Sequence, residues 1–549
     1  MKPRTLTGDR GLAPGSAKFK NSARMPALHS LLTRLFACPR LCALALGALA
    51  ALGFEPLHLW PLTLLAISGL IALIGRATTG RQAALIGWLF GVGHFTLGNN
   101  WIATAFTYQA KMPGWLGWIA VAGLALYLAL FPALAALASW QLFRGRYASL
   151  VTGFAASWIV TEWLRSWLFS GYAWNPLGMV ALGPFARPGL ATLAPWLGTY
   201  GLSGLIVLLA GAWLIALLRW RLDWRGALLT LLPVVLMLMP GGGSGADGTV
   251  PFTLVQPDFR QEALDDPAQW ESQFVKIAGL SAAQGRGEPR LVLWPESGVP
   301  DFLREGYPPY YYEGTTFGSD PRLARQRLGG TLVPGSLLLT GSTDLEMRNG
   351  GVAAGRNVVT ALDSAGTIRG SYAKAHLVPG GEYLPLRPWL EPLGLSRLVP
   401  GNLDFWPGRG PATLELGRFG KAGAQICYEI IFSGQVTDRH HRPDYLFNPS
   451  NDGWFGSFGP PQHLAQARMR AIEEGLPILR ATTTGISAVI DADGVVRAFV
   501  PRHVAGRLDG LIPPAHAPTL FARLGNMLPL CWALLLLVVS LVATRRRHG

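Results

Sequence analysis

Three short stretches of this chain carry side chains whose types and surroundings suit chemistry. In Gly423-Ala424-Gln425-Ile426-Cys427-Tyr428-Glu429-Ile430-Ile431-Phe432 an apolar run leads into a thiol, then a carboxylate, then further apolar residues. In Leu291-Val292-Leu293-Trp294-Pro295-Glu296-Ser297 a buried-type strand delivers a carboxylate just past its end. In Ser371-Tyr372-Ala373-Lys374-Ala375-His376-Leu377-Val378-Pro379, with Gly380-Gly381-Glu382-Tyr383 beyond, a lysine stands near a strand end. No other cysteine lies between Cys42 and Cys531, so Cys427 has no nearby disulfide partner. A lone thiol here is either a nucleophile or a small buried hydrophobe, and burial is the commoner fate of a free cysteine.

The three chemistries are complementary. A thiol must lose its proton, and a carboxylate with a raised pKa in an apolar pocket can take it. A lysine beside the thiol favours the thiolate and stabilises the oxyanion formed on attack at a carbonyl. Together Glu296, Lys374 and Cys427 describe acyl transfer through a thioester, with the base reprotonating the leaving group and then activating an acceptor. Taken singly, Glu296 fits a helix cap, Lys374 a surface charge and Cys427 a core position. His376 is a rival base, although a single histidine is more often a hydrogen-bonded structural residue.

The elements that would position these groups follow from periodicity. Strands are expected at Phe252–Gln256, Leu291–Trp294, Leu337–Thr340, Asn357–Asp363, Ala422–Cys427, Tyr445–Asn448 and Ile486–Ile490, and helices at Pro267–Ala283 and Gln462–Gly475. Asp491-Ala492-Asp493-Gly494 reads as a hairpin turn. The alternation predicts an α/β domain over residues 249–515, large enough for its own core. In an open α/β sheet the strand ends and the loops after them form the ligand crevice, so the three groups converge there.

The remainder of the chain has another texture. Of 549 residues half are hydrophobic, only 14% are charged and 20 are Trp, a membrane-protein profile. Apolar segments run at 41–54, 59–75, 83–106, 115–142, 150–170, 190–218 and 226–240, with an eighth at 524–543. The first, second and seventh are short for a bilayer crossing. The net charge of +15 sits in a basic arm over residues 1–40, in alternate gaps (Arg76, Arg81; Arg144, Arg146; Arg219, Arg221, Arg225) and in the tail at 544–549. That distribution signals topology rather than nucleic-acid binding. The positive-inside rule places both termini in the cytoplasm and the 249–515 domain outside it. Eight spans satisfy this and an odd number does not. Within the fifth segment Glu162 and Arg165 share a helical face. They either pair with each other, or Arg165 meets a lipid phosphate. The aromatic, turn-rich loop Gly171–Gly178 is expected to dip toward the bilayer. Gly241–Gly245 reads as a flexible linker.

The catalytic stretches resemble the nitrilase, or carbon-nitrogen hydrolase, superfamily, whose Glu, Lys and Cys occur in this chain order. Trp294-Pro295-Glu296, Lys374 with His376-Leu377-Val378-Pro379 and Gly381-Glu382-Tyr383, Cys427-Tyr428-Glu429, Asn448-Pro449-Ser450-Asn451-Asp452-Gly453-Trp454-Phe455 and Arg480-Ala481-Thr482-Thr483-Thr484-Gly485-Ile486-Ser487 carry it. The resemblance implies an αββα sandwich. With a multi-span block in front, and with Gly53-Phe54-Glu55-Pro56 and Trp60-Pro61-Leu62, residues 41–543 resemble the apolipoprotein N-acyltransferase family of the bacterial inner membrane. The fold class implied is an all-α bundle of eight transmembrane helices plus a periplasmic nitrilase-like domain. The reaction implied passes an acyl chain from a phospholipid to the cysteine, then to the α-amino group of a diacylglyceryl-modified N-terminal cysteine of an apolipoprotein.

By motif, Cys427 is then the nucleophile, Glu296 the general base and Lys374 the oxyanion stabiliser, with the Tyr428 N–H as a second donor. Glu382 and Glu429 hold Lys374 and the base in position, with structural ion pairing as the alternative for both, and Asn357 and Trp270 match further family positions. No cofactor or metal is expected, and the membrane-embedded enzyme is expected to act as a monomer. Tyr307, Tyr310, Tyr311, Tyr312 and Phe317 crowd one loop, and Trp389, Leu390, Leu393, Leu395, Leu398 and Phe405 another. These suit either a membrane-facing lid or ordinary packing. The rival readings are a membrane-anchored nitrilase-type amidase, an acyltransferase for another amine, and a transporter with a degenerate outer domain. A single helix would anchor the amidase, and the transporter would not need all three catalytic groups.

Overall fold

The computed structural model describes residues 38–108, 113–143, 147–219, 224–238, 245–264, 266–282, 287–398 and 404–545. The expected basic arm up to residue 37, Arg144, Arg146, Arg221, the linker at 241–244 and the tail from residue 546 lie outside them. The first part is helical: α1 (Pro39–Ala51), α2 (Trp60–Arg76), α3 (Gly80–Gly98), α4 (Leu116–Leu128), α5 (Leu130–Phe143), α6 (Tyr147–Arg165), α7 (Ala194–Arg219) and α8 (Trp224–Leu238). Small residues let these helices approach closely. A Cβ on Gly47 of α1 would lie 1.9 Å from Phe90 O of α3, and one on Gly93 would lie 2.1 Å from Leu44 O. Backbones can meet that tightly only where side chains are missing.

Among the described residues three stretches are long and apolar enough to cross a membrane: Leu116–Phe143, Leu190–Leu218 and Met527–Thr544. Pro39–Ala51 and Trp60–Arg76 are apolar but shorter. Glu162 and Arg165 pair at 3.7 Å, both buried, and Arg165 Nη1 also donates to Trp174 O. The pairing alternative therefore describes their geometry. The Gly171–Gly178 loop is buried within the protein apart from half-buried Tyr172. Trp174 is fully buried and donates Nε1–H to Gln462 Oε1 at 2.8 Å.

The second part folds as two six-stranded sheets. One has the order β12-β1-β2-β3-β4-β5, built from β1 (Pro251–Gln256), β2 (Leu291–Leu293), β3 (Leu337–Arg348), β4 (Gly351–Asp363), β5 (Ile368–Ala373) and β12 (Gly506–Leu511). The other runs β11-β10-β9-β8-β7-β6, from β6 (Thr413–Glu415), β7 (Lys421–Ala424), β8 (Tyr445–Ser450), β9 (Ile478–Thr482), β10 (Ser487–Ile490) and β11 (Val496–Val500). β1, β2 and β3 are parallel, as are β7, β8 and β9, and antiparallel strands flank both trios. Strand alternation sorts the side chains. Leu291 and Leu293 enter the core between the sheets with Ala422, Ala424 and Leu479. Val292 and Trp294 face outward, toward Ile277 of α9 (Trp270–Ser281) and Leu328 of α10 (Pro321–Gly329). The layered sandwich expected for this region is thus present.

The helix α11 (Gly459–Glu474) joins the two parts. All its residues except Pro461 are buried. Leu464, Ala467 and Ala471 pack into the sandwich core, whereas Ala465, Met469 and Ile472 pack against the helical bundle with Leu202 and Ile206. After the sandwich the chain returns to the bundle as α12 (Met527–Arg545).

Candidate active site

Each candidate group sits just past a strand end, on the same side of the facing sheets. The turn after β2 presents Glu296. Gly341 of β3 permits it, since a Cβ there would lie 2.7 Å from Glu296 Cα. Lys374 is the residue after β5, its N–H bonded to Asn357 O at 2.9 Å. Cys427 was expected to end a strand, but β7 stops at Ala424. The Gln425 N–H still bonds across to Phe447 O, and the next N–H, of Ile426, turns to Glu429 Oε2 at 2.7 Å. The chain then enters a tight turn with Cys427 at φ +49°. A non-glycine residue in this left-handed region costs on the order of 1–3 kcal/mol and persists only where its surroundings hold it.

The side chains converge. Glu296 Oε1 accepts from Lys374 Nζ at 3.3 Å and from Asn357 Nδ2 at 2.7 Å, while Oε2 accepts from Asn451 N at 2.8 Å. Lys374 Nζ also donates to Glu382 Oε1 at 3.0 Å, and Glu382 takes Asn357 Nδ2 at 3.1 Å and Val378 N at 2.8 Å. Burial opposes the charge on Lys374, but Glu296 and Glu382 outweigh it and hold its pKa above the ordinary lysine value. Burial pushes the Cys427 thiol well up; the Glu296 charge adds to this and Lys374 acts against it. The resting thiol therefore keeps its proton, and a base is needed at the moment of attack.

Glu429 holds this region through backbone rather than through an ion pair with Lys374. Its Oε1 accepts from Tyr372 Oη, Ala375 N and His376 N, and its Oε2 accepts from Ile426 N. It ties the backbone just after Lys374 to the backbone just before Cys427. Burial raises its carboxyl to about 7 against those donors. His376 stacks on Phe432 with ring centroids 4.3 Å apart, a packing role. Trp270 donates Nε1–H to Leu264 O at 3.0 Å and lines the cavity described next. Among the described residues no group of three or more His, Cys, Asp or Glu is arranged to hold a metal ion.

Glu296, Lys374 and Cys427 open into one cavity of about 980 Å³, at the upper end of small-molecule sites. Its walls come from both parts of the molecule. Leu124, Tyr127 and Phe169 belong to the helical part; Phe274, Leu384 and Leu398 belong to the sandwich. Of the two aromatic loops, Tyr307 and Tyr312 are tied by hydrogen bonds to Leu345 N and Arg304 O, whereas Phe317, Leu390, Leu395 and Phe405 line the cavity. Leu386 and Trp389 stand exposed beside it.

Sequence reasoning passed over His463. It lies on α11, fully buried, with Nε2 3.0 Å from Cys427 O and Nδ1 2.9 Å from Asp452 Oδ1. Arg480 Nη2 donates to both Asp452 oxygens at 2.7 and 2.8 Å and lies 3.0 Å from His463 Nδ1. The sequence offered no more than a histidine near the start of an expected helix.

A helical, apolar part and a two-sheet sandwich sharing a Glu-Lys-Cys cavity define a carbon-nitrogen hydrolase domain joined to a membrane-type bundle. The carbon-nitrogen hydrolase family model matches residues 259–513, and the model of the apolipoprotein N-acyltransferase N-terminal domain matches residues 46–212. An apolipoprotein N-acyltransferase of Rhodopseudomonas palustris is 34% identical, over 92% of this chain and 95% of its own. One of Bradyrhizobium diazoefficiens is 35% identical over the same shares. An amidase from Nesterenkonia sp. AN1 superposes with a TM-score of 0.33 and 18% identity, covering 51% of this chain and 98% of its own. The chain belongs to the apolipoprotein N-acyltransferase family.

Proposed function

We propose that this protein transfers an acyl chain from a phospholipid to the α-amino group of a diacylglyceryl-modified N-terminal cysteine of an apolipoprotein, through a thioester on Cys427. The observation that carries this reading is the placement of the Glu296–Lys374–Cys427 cluster in a cavity whose apolar walls are shared between the sandwich and the helical bundle. A hydrolase of small polar amides has no use for such walls.

In the first half-reaction Cys427 Sγ attacks the ester carbonyl while Glu296 takes the thiol proton. The negative charge on the carbonyl oxygen is met by Lys374 Nζ and the Tyr428 N–H. Collapse breaks the ester bond, and the glycerol oxygen leaves with the proton from Glu296 as lysophospholipid. In the second half-reaction the acceptor amine attacks the thioester carbonyl, Glu296 takes its proton, and the thiol is regenerated as the amide forms. Glu382, Asn357 and Glu429 hold these groups, and Trp270 contributes wall.

The bilayer topology goes with this reading. The helical stretches α1, α2, α3, α4 with α5, α6, α7, α8 and α12 supply eight spans for a single-copy enzyme, with the sandwich on the periplasmic side of the inner membrane. The residues 41–240 then form seven spans, 249–515 the catalytic domain and 524–543 the eighth. Arg76 and Arg81, Arg219 and Arg225, and Arg545 in alternate gaps support it. The test is incubation with acyl-labelled phospholipid. The wild type should hold hydroxylamine-labile label and release lysophospholipid; Cys427→Ser should hold none as thioester. Label of the same lability on Cys427→Ser would overturn the assignment.

A further inference from the structure

The strained turn at Cys427 needs something to hold it, and the candidate lies outside the Glu-Lys-Cys cluster. His463 Nε2 lies 3.0 Å from Cys427 O. A carbonyl oxygen can only accept, so the hydrogen must sit on Nε2 whichever partner Nδ1 takes. The ring is itself fixed: Trp174 packs 5.3 Å from it between centroids, and Nδ1 meets both Asp452 and the Arg480 Nη2 that clamps Asp452. Arg480 is anchored in turn on Ser450 Oγ at 3.0 Å and on Asn448. All three charged or ring groups are wholly buried.

The carbonyl of Cys427 and the N–H of Tyr428 belong to one planar trans peptide, so they point in opposite directions. Drawing the carbonyl toward α11 therefore turns the N–H to the other side, where Tyr428 lines the cavity. The carbonyl that a regular 3₁₀ turn would offer this N–H, Gln425 O, already accepts from Asn448 Nδ2 at 2.6 Å. The same short segment carries the base: Asn451, beside Asp452, gives its N–H to Glu296 Oε2. We infer that His463 is a positioning residue for the acyl transfer, holding the Cys427–Tyr428 peptide so that its N–H serves as an oxyanion donor. This rests on the thioester reading above.

The test separates oxyanion formation from thiol reactivity. Iodoacetamide alkylates a thiol by displacement at carbon and forms no oxyanion, whereas a short-chain p-nitrophenyl ester acylates it through one. Both reactions are followed at Cys427 in the full-length protein in detergent, for wild type, His463→Gln and His463→Met. Glutamine keeps an N–H donor near the carbonyl; methionine keeps the volume without it. His463→Met should lose acylation by about 10²- to 10³-fold, the usual effect of one oxyanion donor, with alkylation within about threefold of wild type. His463→Gln should recover acylation to within about tenfold of wild type. Acylation at the wild-type rate in His463→Met, or parallel loss of both reactions in both variants, would overturn the inference. Absence of acylation in the wild type would instead overturn the thioester reading, and the inference with it.

Discussion

Lys374 shares its ammonium between two carboxylates, Glu296 at 3.3 Å and Glu382 at 3.0 Å, which are also bridged by Asn357. Replacing it with methionine leaves two acids facing each other without a cation, and neighbouring carboxylates cannot both stay ionised in a buried site. Lys374→Met should therefore protonate one of them and disable the base as well as the oxyanion contact. Thioester formation should fall by at least about 10²-fold, and alkylation of Cys427 should fall too, which distinguishes this lesion from one at His463. Glu382→Gln removes one anion but leaves Lys374 on Glu296, so its loss should be nearer tenfold. Stopped-time labelling with phospholipid measures both. Glu382 was legible because its motif follows Lys374 directly. How Glu429 holds the site was not legible, because its partners are backbone N–H groups at residues 375, 376 and 426, which no side-chain pattern announces.

At the scale of elements, α11 concentrates what strand and helix patterns could not show. Periodicity marks a helix at Gln462–Gly475, yet it implies one solvated face, and the helix has none because the sandwich and the bundle each take a side. Its charges are consequently structural. Arg468 gives its guanidinium to Gly183 O, Pro184 O, Arg187 O and Gly494 O, so Arg468→Met takes a donor from four carbonyls, those of Gly183 and Gly494 on buried residues. It should cost on the order of 3 kcal/mol or more in unfolding experiments in detergent. At the other end burial, with Glu473 beside it, raises the Glu474 carboxyl to about 7. Its folded pKa lies above the unfolded one, so the native state binds the extra proton between them. Stability from this group is full below about pH 4.5 and is lost as pH rises through about 7, by on the order of 3 kcal/mol. Glu474→Gln should flatten that decline between pH 5 and 8 in thermal unfolding. The β3–β4 hairpin was read short on both arms because its turn, Asn349-Gly350, went unused. Both residues have positive φ, 50° and 80°, the signature of a two-residue Asn-Gly turn. The turn at Asp491–Gly494 was read correctly from the same kind of chemistry.

For the whole molecule, the cavity is the point at which neither part makes sense alone. The residues that line it come from positions far apart in sequence, so its volume and apolar walls could not be read from the chain. What could be read was that the three groups lie at strand ends and that two apolar loops suit either a membrane-facing lid or ordinary packing. On α4, Ala120, Leu124 and Tyr127 recur at helical spacing along one face and all line the cavity. Ala120 is the smallest of the three, so it leaves cavity space that, on the proposed function, an acyl chain would use. Filling it should shorten the longest chain accepted without touching the reacting groups. Ala120→Trp is expected to lower kcat/KM for long-chain phospholipid by about tenfold or more, while a short-chain donor keeps most of its rate. A lost methylene-sized contact is worth only a few kcal/mol at most, so the readout is the ratio between donors rather than either rate. An equal drop for both donors would mean that the wall at Ala120 supports the fold rather than measures the chain. An unchanged ratio at full activity would mean that the acyl chain runs along another wall, such as that of Phe274 and Phe302.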